Sequence, residues 1–153
     1  KAAARLDELL AAKANIAEAP APELLALIYQ NLAEALLGLG RLDEAEAAVQ
    51  RAIDEEEINV LPDALRTHGE IKLQQGLPEQ AERLICHALE LIAQRETPDP
   101  YLAGYAWRAL AVVYERSGKR TKAHECLVKA LACFTTLNLI NELTKTRTIL
   151  AAL

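Results

Sequence analysis

Few residues of this chain could carry chemistry, and their spacing does not gather them. Cys86 stands beside His87, and His124 lies two positions before Cys126. Neighbours one or two apart on a helix point in different directions, whereas helix-borne metal ligands are spaced by three or four. A Cys–His catalytic pair would have to form between distant segments, and no nucleophile signature accompanies it. The acidic run Asp54, Glu55, Glu56 and Glu57 falls at the end of a helical segment and is read as solvated rather than as a metal site. No Gly-rich phosphate loop is present, because the glycines follow periodic segments and end helices. His68 occupies an otherwise apolar register position. It is read as a partly buried histidine with a polar neighbour, the alternative being a groove residue that senses ligand or pH. The chain is therefore not expected to be an enzyme, and neither a metal nor a cofactor is expected.

The elements around these residues are helical. The 153 residues are 52% hydrophobic but only 4% aromatic, with Ala and Leu supplying most of the apolar content. An Ala/Leu/Glu/Arg-rich mix favours helix on propensity alone, and the length suits one domain with a sizeable core. No apolar run approaches the roughly 18 residues of a membrane helix, and no basic-then-apolar leader opens the chain. The chain begins at Lys1 and contains no Met, so it is expected to be a piece of a larger protein. Three unpatterned cysteines, Cys86, Cys126 and Cys133, argue for a reducing compartment, hence the cytoplasm. The net charge of −5 is unevenly spread: nine Lys/Arg face nineteen Asp/Glu up to residue 100, and eight face three beyond it. Ordinary solvated helix faces account for this, and a bipolar rod whose ends attract different partners, or each other, is the sharper reading.

One string recurs. Gly40, Gly76 and Gly118 are each followed, five residues on, by Ala45, Ala81 and Ala123. The continuation repeats as well, with Val49, Ala52 and Ile53, then Ile85, Ala88 and Leu89, then Leu127, Ala130 and Leu131. A Gly just past a periodic segment takes the left-handed conformation that ends a helix. Pro78 fits the first turn of the next helix, where a missing N–H costs nothing. The recurring Ala lets two helices of a hairpin approach closely, and the larger residue four positions on fills the hole beside it. A single such hairpin cannot bury its apolar stripe alone, so the units must stack.

These positions resemble the tetratricopeptide repeat. Trp107, Leu110, Ala111, Tyr114, Gly118, Ala123, Leu127 and Ala130 stand at the family's spacing in one unit, and Tyr29, Leu32, Ala33, Leu36, Gly40, Ala45, Val49 and Ala52 in another. Leu65, Gly69, Gly76, Ala81, Ile85 and Ala88 fit a third, which departs at His68, where Leu is expected, and at Lys72, where Tyr is expected. That unit's first helix is accordingly the one least fixed by pattern. The usual Pro after the second helix is missing or displaced, so the linkers are long. Repeat lengths above the usual value of about 34 resemble arrays in large bacterial signalling proteins such as ATP-dependent transcription activators.

The resemblance implies an all-α fold, an α-α superhelix of about eight antiparallel helices without a sheet. The expected organisation is a partial repeat over 1–19 (a second helix, about 2–18), repeats over 23–57, 62–95 and 101–136, and a capping helix or the start of a further repeat over 139–153. First helices are expected at about 23–38, 62–75 and 101–117, and second helices at about 43–57, 79–95 and 121–136.

In the family the first helix of each unit lines a concave face that binds a partner. The positions that carry over are Gln30, Asn31, Glu34 and Leu37, then Asp63, Arg66, Thr67, Glu70 and Leu73, then Tyr105, Arg108, Val112 and Glu115. Each set lies on one helix stripe. Arg66, Arg108 and Tyr105 are the expected anchors, with both arginines exposed and dispensable to the fold. Gln30 and Glu34 stand where the family's chaperone-tail receptors carry a Lys/Asn clamp, so a chaperone carboxylate is excluded. The expected function is a protein- or peptide-binding scaffold within a larger regulatory protein, gripping a segment of mixed charge. The alternative is a self-association module giving homo-oligomers. Neither nucleic acid nor membrane is an expected partner, since three of the five aromatics in the basic C-terminal third fit core spacing.

Overall fold

The structure, a computed structural model, describes residues 21–153; the helix expected at about 2–18 lies outside them. Seven helices follow among the described residues: α1 Pro22–Gly38, α2 Leu42–Asp54, α3 Leu61–Gln74, α4 Pro78–Ala93, α5 Pro100–Arg116, α6 Arg120–Thr136 and α7 Ile140–Ala151. No strand occurs among the described residues.

Local chemistry sets the helix ends. Pro22, Pro62, Pro78 and Pro100 each sit in a first turn, where their missing N–H leaves nothing unsatisfied. Gly40, Gly76 and Gly118 have φ of 73°, 79° and 72°. After each, a backbone N–H reaches back to close the helix: Arg41 to the Leu36 carbonyl at 3.0 Å, Leu77 to Lys72 at 2.9 Å and Lys119 to Tyr114 at 2.8 Å. Asn138 takes the same left-handed conformation, φ 53°, after α6, a role Asn shares with Gly. α2 stops at Asp54, three residues short of the expected 57. Four consecutive acids oppose the negative C-terminal end of a helix dipole, and Glu56 instead turns the chain at φ 52°.

Consecutive helices pair into hairpins α1/α2, α3/α4 and α5/α6, and each hairpin packs on the next through α2·α3 and α4·α5, with α7 lying on α6. The first helices also touch one another, α1 on α3 and α3 on α5, while the second helices make no comparable contact. The first helices therefore form the crowded inner layer and the second helices the splayed outer one.

Two apolar clusters run through the stack. One joins α1, α2 and α3 through Tyr29, Ala33, Leu36, Ala45, Val49, Ala52, Ala64 and Ile71. The other joins α3 to α6 through Leu73, Ile85, Ile92, Leu110, Val113, Tyr114 and Leu127, with Ile149, Leu150 and Leu153 packed against it. Small residues mark the closest helix approaches. A Cβ on Gly69 would lie 2.5 Å from Ile85 Cγ1, and one on Gly104 would lie 2.6 Å from the Phe134 ring.

The unit with the irregular pattern is well packed. Ala64, Leu65, Gly69, Ile71 and Leu73 are all buried, and His68 and Lys72 turn to the same acid on α2. Lys72 Nζ donates to Glu46 Oε1, Gln75 Nε2 donates to Glu46 Oε2 at 2.7 Å, and His68 Nε2 lies 3.4 Å from Glu46 Oε1. The hydrogen bonds from Lys72 and Gln75 outweigh burial and hold the Glu46 carboxyl down at about 2.

Candidate binding groove

The inner layer brings the expected groove positions of α1, α3 and α5 together, but not as free anchors. Gln30 and Thr67 are buried. The Gln30 amide donates to Thr67 Oγ1 at 2.8 Å and to Asp63 Oδ2 at 2.9 Å, tying α1 to α3. The expectation that Arg66 is exposed is overturned: it is 6% exposed. Its Nε donates to Asp63 Oδ1 at 2.7 Å, its Nη1 to Glu70 Oε2 at 2.8 Å, and its Nη2 to Glu34 on the neighbouring helix. Burial alone would lower its pKa, but Glu70, Asp63 and Glu34 together keep it above the ordinary arginine value. Burial, opposed by Arg66, pushes the Glu70 carboxyl above the usual carboxylate range.

Arg108 is likewise engaged. Its Nη1 lies 2.7 Å from Glu142 Oε2 on α7 and 3.4 Å from Thr146 Oγ1. The Tyr105 ring lies between the two arginines, 5.7 Å from the Arg66 guanidinium carbon and 5.0 Å from that of Arg108. Tyr105 also meets Phe134 edge-on at 5.4 Å and Tyr101 at 4.8 Å. A polar ladder thus runs along the inner face from Gln30 through Asp63, Arg66, Tyr105 and Arg108 to Glu142. Arg66 and Arg108, expected there as exposed anchors, are instead joined to acids in ion pairs. Spacing alone puts these residues on one stripe; the partners from neighbouring helices become visible only in three dimensions.

Other expected groove residues stay available. Asn31, Glu34 and Glu115 are exposed, and Leu37, Glu70, Tyr105 and Val112 are half-buried. Between α1, α3 and α5 lies a cleft of about 260 Å³ lined by Leu37, Glu70, Leu73, Gln74, Ala109, Val112 and Arg116. Gln74 and Arg116, outside the expected set, lie four positions after Glu70 and Val112 and so continue the same helix stripe. A larger depression of about 550 Å³ lies at the α5–α7 end, lined by Tyr101, Tyr105, Asn138, Leu139, Ile140, Asn141 and Glu142.

The cysteines are dispersed and unbridged among the described residues. Burial pushes the Cys86 and Cys133 thiols up and that of Cys126 to about 11, which disfavours the reactive thiolate. Among the described residues no three His, Cys, Asp or Glu side chains are grouped to hold a metal ion, and no described helix is long and apolar enough to cross a membrane.

Comparison with known proteins agrees with this architecture. Residues 26–59 match the family model of the tetratricopeptide repeat. Among solved structures, the crystal structure of BtubC (BKLC) from P. vanneervenii superposes with a TM-score of 0.75 at 23% identity, covering 95% of this chain and 61% of that one. This chain thus spans under two thirds of that protein's length, and at such identity the likeness establishes the fold. No curated protein matches the sequence. The described residues form an α-α superhelix, and residues 26–59 are identified as a tetratricopeptide repeat.

Proposed function

We propose that the protein is a binding scaffold that holds a protein or peptide segment against the inner face of its superhelix, as an interaction or regulatory module of a larger cytoplasmic protein. Tetratricopeptide repeats generally mediate protein–protein interaction. The observation that carries the reading is the cleft of about 260 Å³. Leu37 and Val112, half-buried on the first and third of three successive first helices, leave apolar surface open there over the buried Leu73, beside charged side chains. Such a mixture of apolar floor and polar rim suits peptide recognition.

The site is tested by filling it. Val112→Lys should abolish binding of an inner-face ligand, while Val128→Lys on the outer helix α6, where Val128 is already 48% exposed, should leave binding unchanged. Equal loss in both variants, or in neither, would remove the inner face from consideration. Self-association is the competing reading. Sedimentation should show one monomeric species across a wide concentration range, and a concentration-dependent dimer would favour the competitor.

A further inference from the structure

The chemistry of the ligand can be narrowed, on the premise that the inner face is the binding surface. We propose that the segment held there presents one lysine or arginine next to an aliphatic side chain. The cation rests against Glu70 and Glu34, and the aliphatic group enters the cleft walled by Leu37, Leu73 and Val112.

Charge on the inner face is unequally matched. Arg66 faces three carboxylates, Glu34, Asp63 and Glu70, so the cluster carries an excess of negative charge. Asp63 is further occupied by the Gln30 amide. Glu34 and Glu70 keep 44% and 33% of their side-chain surface exposed, against 7% for Arg66. The acids are therefore accessible while the arginine between them is not. Arg108 is withdrawn in the same way by Glu142. An acidic segment would find both floor arginines already paired and would meet the exposed carboxylates first. Like charges brought together at an interface disfavour such a partner.

Glu70 is common to the acidic cluster and to the lining of the apolar cleft. A cation against it is therefore adjacent to an aliphatic group among Leu37, Leu73 and Val112. Arg116 lines the same cleft and is exposed. It opposes a second cation, so a polybasic tail fits less well than a segment with a single one, and an acid on the Arg116 side of the ligand is accommodated. A ligand of mixed charge thus has an order: base, aliphatic residue, then neutral or acidic residue.

The test is selection from a library of short random peptides displayed on phage against the immobilised protein. The most enriched peptide is then synthesised, labelled and titrated by fluorescence anisotropy. Enriched sequences should place Lys or Arg beside Leu, Ile or Val. Affinity should weaken about tenfold in Glu70→Gln and in Glu34→Gln, and should fall with added salt. It should be lost in Val112→Lys and unchanged in Glu79→Gln, whose side chain is exposed on α4. Circular dichroism checks each fold. Glu34→Gln, altering an exposed residue, serves if Glu70→Gln proves unstable. Enriched peptides without a cation that are nonetheless lost in Val112→Lys would overturn this ligand chemistry and leave the inner-face reading standing. Peptides indifferent to Val112→Lys, or a selection that enriches nothing, would overturn both.

Discussion

Arg66 lies buried in the middle of the inner face, held by acids on two helices. Helical spacing puts it on the inner stripe but says nothing of what closes over it. Glu34 approaches from α1 and Tyr105 from α5, and both contacts depend on how hairpins stack. Removing Arg66 breaks a partly buried ion-pair network and leaves Glu34, Asp63 and Glu70 repelling one another, at a cost of about 1–3 kcal/mol. Arg66→Ala should therefore lower the urea midpoint strongly, where an exposed arginine would cost under about 0.5 kcal/mol. A near wild-type midpoint would mean that the three carboxylates hold together without it. Glu46 and His68 give a pH-dependent counterpart. The Glu46 pKa falls from 4.5 to about 2 in the fold, chiefly through Lys72 and Gln75, so its stabilisation is complete above pH 4.5 and is lost as pH falls through about 2. Burial lowers the His68 pKa below its usual 6.5 despite Glu46. Its contribution, like that of Glu46, is present above the unfolded value and is lost as pH falls below 6.5. The stability difference between wild type and Glu46→Gln should shrink between pH 4.5 and 2. A constant difference across that range would show that the Lys72 contact does not hold in solution.

At the scale of elements, most of the fold was legible in the sequence. Gly40, Gly76 and Gly118 mark helix ends, prolines mark helix starts, and the Ala positions mark helix crossings, because each rests on a local backbone or steric constraint. What spacing did not reveal is pairing between units. Glu46 and Glu82 each follow a recurring Ala by one residue, and each reaches the next first helix at the same register. Glu46 meets Lys72, and Glu82 accepts from the Tyr114 hydroxyl at 3.0 Å. Lys72 therefore replaces the family's Tyr without loss of the tie, an exchange invisible in a single sequence because the compensating residue stands on another helix. Gly69 is similar: the pattern marks it as small, but only Ile85 explains why. Gly69→Ala would gain up to about 1 kcal/mol in helix propensity. Against that, its Cβ would sit 2.5 Å from Ile85 Cγ1 and 3.1 Å from the Ala81 carbonyl oxygen. Ile85 is fully buried and has little room to yield, so overpacking of about 1–3 kcal/mol should win. Thermal melting should show a lower Tm for Gly69→Ala, and a raised Tm would mean that α3 and α4 separate more easily than their contact suggests.

For the whole molecule, stacking makes stability nearly one-dimensional. Each hairpin touches its neighbours, and α7 contacts α6 but has no comparable contact with α1 to α4. In such an array, stability is a sum of unit terms and nearest-neighbour interfaces. The polar ladder follows the same rule, since its last rung, Arg108 with Glu142, joins only α5 to α7. Burial raises the Glu142 carboxyl, but Arg108 and Lys145 more than reverse this and hold it below its ordinary value, so the charge belongs to the folded state. Glu142→Gln removes that charge, and leaves Arg108 with the hydroxyl of Thr146 and two aromatic rings. The loosening should remain near the C-terminal end. Hydrogen exchange should rise in α7, and to a smaller extent in α5 and α6, while amides of α1 and α2 keep wild-type protection. Uniformly faster exchange from α1 to α7 would show instead that the chain opens as one cooperative unit, and the nearest-neighbour description would fail.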